Sequence, residues 1–403
     1  MEPSNPDNHS NPNSLALKPT KTILVILPSL YGGGAEGVML TLLEHLDRTR
    51  FTPTLLVLSN QGHLSVRARN LRNLGLSLVV FGSGPKPLSL LRCWIHIWTH
   101  KPDLILSSMG PVNALLSLVT WALPAKSRLI LRETNIPSLL NTIKIRQGKP
   151  IYHLINLLYH TSYRWVHRII AQSLAMKQDL TTTYNIPEWK IVPIPNPIDP
   201  NRIAQAKTGP GFSWPEPCTY EEIGETANPI RQVRLLALGR LSYEKGFDLL
   251  LHRLAEVNHL PFSLCILGEG PEEPTLRGLI RTYGLEHQVH LLGFVPNPLP
   301  ALAAAQVFLL PSRSEGFPNV VLESLALGTP VIASLGPGGH QEMIRPGING
   351  YLVDYTKPQA LVSVIQQAQA LKPLNHQVVN QFTQTYGITQ IMNQYQNLFE
   401  RTC

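Results

Sequence analysis

Residues 22–37 read TILVILPSLYGGGAEG: five aliphatic side chains in unbroken succession, Ile23 through Leu27, then a proline, then a cluster of glycines. A strand with one wet face alternates apolar and polar residues. This one has no polar face, so it belongs inside a sheet covered on both sides, the setting of parallel sheets. Gly32, Gly34 and Gly37 satisfy G-x-G-x-x-G and open a helix predicted over 36–46. Such a turn brings free backbone N–H groups at a helix start close to an anion. A nicotinamide or flavin site asks in addition for Asp or Glu about 20 residues further on. The next strand, 52–58, ends in Leu58-Ser59-Asn60, and no acidic residue stands between Phe51 and Lys101. Dinucleotide chemistry is therefore disfavoured, which leaves an anion-binding turn or a tight turn with no ligand.

Outward from this unit the alternation repeats. Helices are predicted over 64–74, 87–100, 112–122 and 151–166, and strands over 76–81, 103–107, 128–131 and 168–171. Residues 104–125 carry no charge and would span a bilayer as one helix. Ser107, Ser108, Gly110, Pro111 and Asn113 instead divide the stretch into strand, turn and helix. The proline-rich VPIPNPIDP at 192–200 and the aperiodic stretch 204–231 mark an interdomain connection with an inserted loop. A second alternation follows, with strands at 233–238, 262–267, 289–292, 307–310 and 331–334 and helices at 247–257, 272–283 and 320–327. The fold class is α/β: two doubly wound parallel sheets in tandem, binding ligand at the carboxyl ends of their strands in the cleft between them.

Length and composition allow this. The 403 residues predict two or three domains, and 43% hydrophobic content builds a core in each. The net charge of +8 is unevenly placed: residues 1–200 hold 20 basic and 10 acidic side chains, residues 201–403 hold 14 and 16. With no dense Lys/Arg cluster and no zinc or RNA-recognition signature, no nucleic acid is expected as partner. Cys93, Cys218, Cys265 and Cys403 lie far apart with no CxxC pair and no histidine at ligand spacing, so the simple reading is a reduced, intracellular chain without a metal site. Residues 1–20, rich in Asn, Pro and Ser without an apolar centre, read as a loosely attached tail rather than a secretory signal.

Chemistry concentrates in the second half. Gly239-Arg240-Leu241-Ser242-Tyr243-Glu244-Lys245-Gly246 follows a strand, where Arg240 and Lys245 can clamp a diphosphate or stand as ordinary solvated charges. Pro311-Ser312-Arg313-Ser314-Glu315-Gly316-Phe317-Pro318-Asn319-Val320-Val321-Leu322-Glu323 puts one carboxylate on a glycine loop and a second about a turn into the next helix. Carboxylates accept from vicinal hydroxyls, and residues 316–319 offer free N–H groups, so the pair suits a sugar and a ribose; otherwise the two are capping and solvent residues.

Taken in order, Gly33-Gly34-Ala35-Glu36, Gly239-Arg240-Leu241 with Lys245-Gly246, Gly268-Glu269-Gly270-Pro271, Gly293-Phe294, and Glu315-Gly316-Phe317-Pro318 with Glu323 resemble the retaining glycosyltransferases of family 4, whose GT-B fold sets two Rossmann-like domains across a cleft. Ser173, Asn196-Pro197-Ile198-Asp199 and GINGYLV at 347–353 add to the likeness, which runs from about residue 21 to 400. The resemblance implies an acceptor-side domain at 21–200, a linker at 201–231, a donor-binding domain at 232–380 and a C-terminal helix within 381–403 returning to the first domain. It implies Arg240 and Lys245 on the diphosphate of a nucleotide-sugar, Glu323 on the ribose and Glu315 on the transferred sugar. Phe294 would lie near the base. Gly268, Gly270, Gly316, Phe317, Asn319 and Val320 would line the donor, and Gly33 and Gly34 would close from the first domain. No metal and no further cofactor are expected, since cations and helix starts neutralise the leaving group. The family often has a histidine after the strand at 128–131; here Arg132-Glu133-Thr134-Asn135-Ile136-Pro137-Ser138 has none, and Glu133 and Asn135 are assigned to sugar or acceptor contacts. His340 reads as structural. The implied activity is retaining transfer of a hexose or N-acetylhexosamine, with uridine as the base, to a lipid-linked or surface-polysaccharide precursor. The alternatives are a soluble small acceptor, a nucleotide-sugar epimerase of the same architecture, or a silent sugar-nucleotide binder.

On the acceptor side, Leu90, Leu91, Trp94, Ile95 and Trp98 recur at helical spacing with Arg92 and His96 between them. They form either a core-facing stripe or an interfacial helix on an anionic membrane, helped by Lys144, Arg146 and Lys149 from a following loop. The second reading places the protein in the cytoplasm, peripheral at the inner face of its membrane.

Overall fold

Thirteen strands in two sheets order the described residues of the computed structural model, which are 20–31, 33–59, 62, 64–82, 86–208, 211–215, 232–257, 261–358 and 361–402. The expected tail lies outside them but for Thr20, as do Gly32, most of the inserted loop, Cys218 and Cys403. The first sheet holds β1 (Lys21–Leu27), β2 (Phe51–Val57), β3 (Ser77–Val80), β4 (Leu104–Ser108), β5 (Arg128–Arg132), β6 (Arg168–Ala171) and β7 (Ile191–Pro193), in the order β3-β2-β1-β4-β5-β6-β7. The second holds β8 (Val233–Leu238), β9 (Phe262–Leu267), β10 (Val289–Leu291), β11 (Val307–Leu310), β12 (Val331–Ser334) and β13 (Gly350–Val353), in the order β10-β9-β8-β11-β12-β13. Every pairing within them is parallel. β1 is an unbroken apolar run from Ile23 to Leu27, and β9 is buried throughout with Ser263 its one polar residue, because helices cover both of their faces.

The helices of the first domain are α1 (Gly34–His45), α2 (Ser65–Asn70), α3 (Lys86–His100), α4 (Gly110–Leu118), α5 (Pro137–Arg146), α6 (Ile151–Thr161) and α7 (Leu174–Thr182). α1 and α2 bury one face of the sheet, while α3, α4, α6 and α7 bury the other. The uncharged stretch 104–125 resolves into β4, α4 and a 3-10 turn at Thr120–Ala122, and no helix among the described residues is long and apolar enough to cross a membrane. Lys144 and Arg146 stand on α5, where a loop was expected.

α8 (Pro200–Thr208) follows the proline-rich connection and buries Ile203 and Ala206 in the second domain, so the expected linker begins as a helix. α9 (Phe247–Ala255), α10 (Glu273–Thr282), α11 (Leu299–Ala304), α12 (Asn319–Ala326), α13 (His340–Met343), α14 (Val362–Ala370) and α15 (His376–Thr385) complete that domain. The chain crosses between domains twice, and the crossings are hydrogen-bonded together: Ile198 N donates to Tyr386 O (2.7 Å) and Ile388 N to Ile198 O (3.0 Å). α16 (Ile388–Thr402) then packs on the first sheet, with Phe399 edge-on to Phe51 at 5.9 Å.

α3 departs from the core-facing reading of its stripe. Its buried side is Ser89, Cys93 and Ile97; of the stripe, Leu91, Ile95 and Trp98 point outward, with Leu88 beside them, while Leu90 and Trp94 are half-buried at its edge. A helix lying on a sheet hides one narrow stripe, and Ser89, Cys93 and Ile97 already fill it here.

Candidate active site

The loops at the carboxyl ends of β8, β9, β10, β11 and β12 are laced into one rim. Gly239 N donates to Leu267 O (3.0 Å), Leu241 N to Glu269 O (2.9 Å), Gly268 N to Gly293 O (2.7 Å), and Ser334 Oγ to Ser312 O (2.6 Å). Gly268 and Gly270 serve this lacing. A Cβ on Gly268 would fall 1.9 Å from Gly239 O and one on Gly270 2.2 Å from Leu241 O, so any side chain would part the loops.

Two of the three expected catalytic side chains meet directly. Lys245 Nζ donates to Glu315 Oε1 at 2.6 Å, and Ser312 Oγ donates to the same oxygen at 2.6 Å. Arg240, in the Lys245 loop, is exposed and has no side-chain partner among the described residues. Arg313 sets the relation between the loops. Its guanidinium grips Asp248 through Nη1 (2.7 Å) and Nη2 (2.6 Å), donates to Tyr243 O (2.7 Å) and lies 4.0 Å above the Tyr243 ring. The motif at 311–323 carried this arginine in plain view, but its partners are more than sixty positions away.

Glu323 lies in the second turn of α12 with Arg202 Nη1 at 3.8 Å, and burial pushes its carboxyl above the usual range against that cation. Phe294 is half exposed beside the rim. Phe317 does not line a donor space: it is buried against Tyr386, ring centroids 5.7 Å apart, as part of the core beneath α12. Val320 is partly buried on the same core, at the helix start where N–H groups are free. His340 donates from Nε2 to Ser334 O (2.8 Å), and burial lowers its pKa, which favours the neutral ring.

The first domain closes on this rim. Asn319 Nδ2 donates to Gly34 O (3.0 Å), and Ser314 Oγ to Asn135 Oδ1 (3.0 Å). Gly316 passes so near Thr134 that a Cβ would lie 2.3 Å from its carbonyl oxygen. Asn135 is thus a cross-domain contact. Glu133, expected on the sugar or acceptor, is instead buried, and its oxygens accept from Asn113 (2.8 Å), Tyr159 (2.7 Å) and Tyr163 (2.8 Å). Burial raises its pKa despite those bonds. At Gly33 the nearest group is the protein's own Glu36 carboxyl, which folds back so that a Cβ there would sit 2.5 Å from Oε2. Burial raises the Glu36 pKa, opposed by its own backbone N–H and Ser29.

Sequence reasoning named Asn196 and Lys144 but missed the pairings that join the halves. Arg132 is fully buried and donates to Tyr395 Oη (3.0 Å), Ser108 Oγ (3.1 Å) and Asn196 Oδ1 (2.6 Å); Asn196 Nδ2 in turn donates to Phe317 O (3.1 Å) and Asn319 Oδ1 (2.7 Å). Lys144 Nζ meets Glu244 Oε1 at 3.0 Å across the cleft, the side chains 13% and 17% exposed. Glu342 Oε1 accepts from Leu174 N (2.6 Å), capping α7 from the opposite domain. The local signals for these were an arginine at the end of an apolar strand and Asn196 within the proline-rich connection. Among the described residues no group of three His, Cys, Asp or Glu is placed to hold a metal ion.

Comparison with known proteins agrees with this architecture. The profile of the glycosyl transferases group 1 matches residues 221–385 and that of Glycosyltransferase Family 4 matches residues 32–202. An N-acetylgalactosamine-N,N'-diacetylbacillosaminyl-diphospho-undecaprenol 4-alpha-N-acetylgalactosaminyltransferase from Campylobacter jejuni is 30% identical over 57% of this chain and 57% of its own. The lipopolysaccharide core biosynthesis glycosyltransferase LpsE of Rhizobium meliloti is 34% identical over 34% of this chain and 39% of its own. The chain thus spans about half the length of the curated relatives it matches. Anabaena HepE, solved in complex with UDP-glucose, superposes with a TM-score of 0.71 at 20% identity, covering 94% of this chain and 99% of that one. The two matched profiles, which between them take in most of the sequence, and the paired doubly wound sheets establish that the chain belongs to the family 4 glycosyltransferases, with the GT-B fold.

Proposed function

We propose that the chain transfers a hexosyl or N-acetylhexosaminyl group from a UDP-sugar to a lipid-linked or surface-polysaccharide precursor, with retention, at an anionic membrane face. The observation that carries this reading is the rim of the second sheet, where the unpaired Arg240 shares a loop with the Lys245–Glu315 pair beside the start of α12. The solved complex of HepE with UDP-glucose supports the donor class, and the diphospho-undecaprenol in the name of the Campylobacter relative supports the acceptor class.

In the proposed reaction the bond between the sugar's anomeric carbon and the diphosphate oxygen breaks, and the diphosphate keeps the electron pair. An acceptor hydroxyl oxygen bonds to the same face of that carbon and gives its proton to the departing phosphate. Negative charge grows on the diphosphate, where Arg240, Lys245 and the free N–H groups of α12 act without a metal; each such donor is worth on the order of 3 kcal/mol in the transition state. Glu315, held by Lys245 and Ser312, accepts from hydroxyls of the sugar, and Glu323 from those of the ribose. A thermal-shift screen over UDP- and GDP-sugars tests the donor, since a ligand bound only by the native state raises the melting temperature. Arg240→Ala and Glu315→Ala are each expected to lower transfer about 100-fold. Transfer unchanged in both variants would refute the site.

A further inference from the structure

The first domain carries an apolar surface that the transfer chemistry does not use. α4 and the 3-10 turn after it expose Leu115, Leu118 and Trp121, the last at 80%; α6, packed beside α4, exposes Ile151, Leu154 and Leu157. Steps of three hold successive side chains on one flank of a helix, so each helix raises an apolar ridge to solvent. Trp121 and Trp165, at the ends of these two segments, line one open cavity with Thr120 and His167. The outward stripe of α3 belongs to the same layer, because α3, α4 and α6 all bury their opposite sides in one core cluster. Single exposed leucines are ordinary, but two ridges on packed helices with a third on the same side of the sheet mark an interaction surface.

Charge selects its partner. Residues 86–170 contain eleven Lys and Arg, of which Arg132 is buried and Lys144 is paired across the cleft, against two acidic residues, Asp103 and Glu133. Glu133 is buried under three donors, and Asp103 is bonded to Thr22 and paired with Lys126. Arg92 on α3 and Arg164 beside Trp165 are exposed, with no carboxylate partner among the described residues. A second copy of this face would set like charges against each other across a two-fold interface. An anionic lipid surface accepts both the ridges and the cations, and tryptophan favours the headgroup level.

We propose that the outer face of α3, α4 and α6 docks on an anionic bilayer. This deepens the membrane location proposed above by naming the surface: it keeps the α3 helix expected from the sequence, adds α4 and α6, and drops Lys144, which is committed to Glu244 across the cleft.

Flotation of the full chain with phosphatidylglycerol–phosphatidylcholine vesicles, against phosphatidylcholine alone, tests it. The wild type is expected to float with the anionic vesicles only, with a blue shift in tryptophan emission. Trp121→Ser with Trp165→Ser, and separately Leu91→Ser with Ile95→Ser, are each expected to weaken partitioning about tenfold. These exposed substitutions leave the melting temperature unchanged, which separates lost docking from lost folding. Donor-induced thermal shift and transfer to a water-soluble acceptor analogue report on the proposed reaction independently, so either reading can fail alone. Flotation of both double variants like the wild type, equal flotation with neutral vesicles, or a wild-type dimer that the tryptophan substitutions dissociate would each overturn the proposal.

Discussion

In the role proposed for it on the ribose, Glu323 has opposite effects on fold and ligand. Burial raises its pKa, with Arg202 opposing, so the folded chain holds a proton that the unfolded chain releases in the window between the ordinary glutamate pKa and the raised one. Stability of the free protein therefore falls as pH rises through that window, and is greater below it. Ribose hydroxyls, by contrast, are accepted best by the ionised form. Donor affinity measured by calorimetry is thus expected to weaken on acidification at a pH above the normal glutamate range. Glu323→Gln should remove that pH dependence, weaken donor binding at neutral pH and raise the melting temperature of the free protein. A wild-type affinity that stays flat until the ordinary glutamate range would take Glu323 off the ribose. Arg132 illustrates another kind of residue. Its charge is buried among a tyrosine, a serine and an asparagine, and the exact fit of donors to acceptors offsets the desolvation that an isolated guanidinium would suffer.

Helix α16 belongs to the first domain by packing although it follows the second in sequence. Its Ile391, Met392, Tyr395 and Phe399 are buried against β1, β2 and α1, and Gln396 Oε1 accepts from Asp47 N at 3.0 Å. The helix is amphipathic because it lies on one face of a sheet with solvent on the other. Phe399→Ala is expected to cost about 3–5 kcal/mol, read as a shift in the urea midpoint. A loss below about 1 kcal/mol, the level of a surface change, would mean that α16 is only loosely docked. α3 is the reverse case, a helix whose helical period predicts its existence but not which side it hides.

Closure of the two domains rests on a few polar contacts around the rim, with Lys144–Glu244 on one side and Glu342 at the start of α7 on another. Burial opposes ionisation of Glu244, yet its own backbone N–H and Lys144 outweigh this and hold its pKa below the ordinary value. The pair therefore contributes above the ordinary glutamate pKa and is lost only as pH falls through the depressed one. Lys144→Ala is expected to shift the balance toward an open form by about 1–3 kcal/mol, less than for a fully buried pair. Small-angle scattering should then report a larger radius of gyration in the absence of donor, and an unchanged radius would show that closure does not depend on this contact. Much of this molecule was legible in the chain itself. Ile23 to Leu27, the strands at 233–238, 262–267 and 307–310, and the Glu315–Glu323 motif are local patterns, because a strand covered on both faces must be apolar throughout and a helix start must follow its loop. Sequence alone determined the two parallel sheets and the loops that form the rim. Only the tertiary structure decided that Glu133 is sealed away, that Phe317 is core, that Leu91, Ile95 and Trp98 of α3 face outward, and that Arg132 reaches Tyr395 across 263 positions. These depend on which surfaces the two interdomain crossings bring together, and no local period encodes a partner that far along the chain.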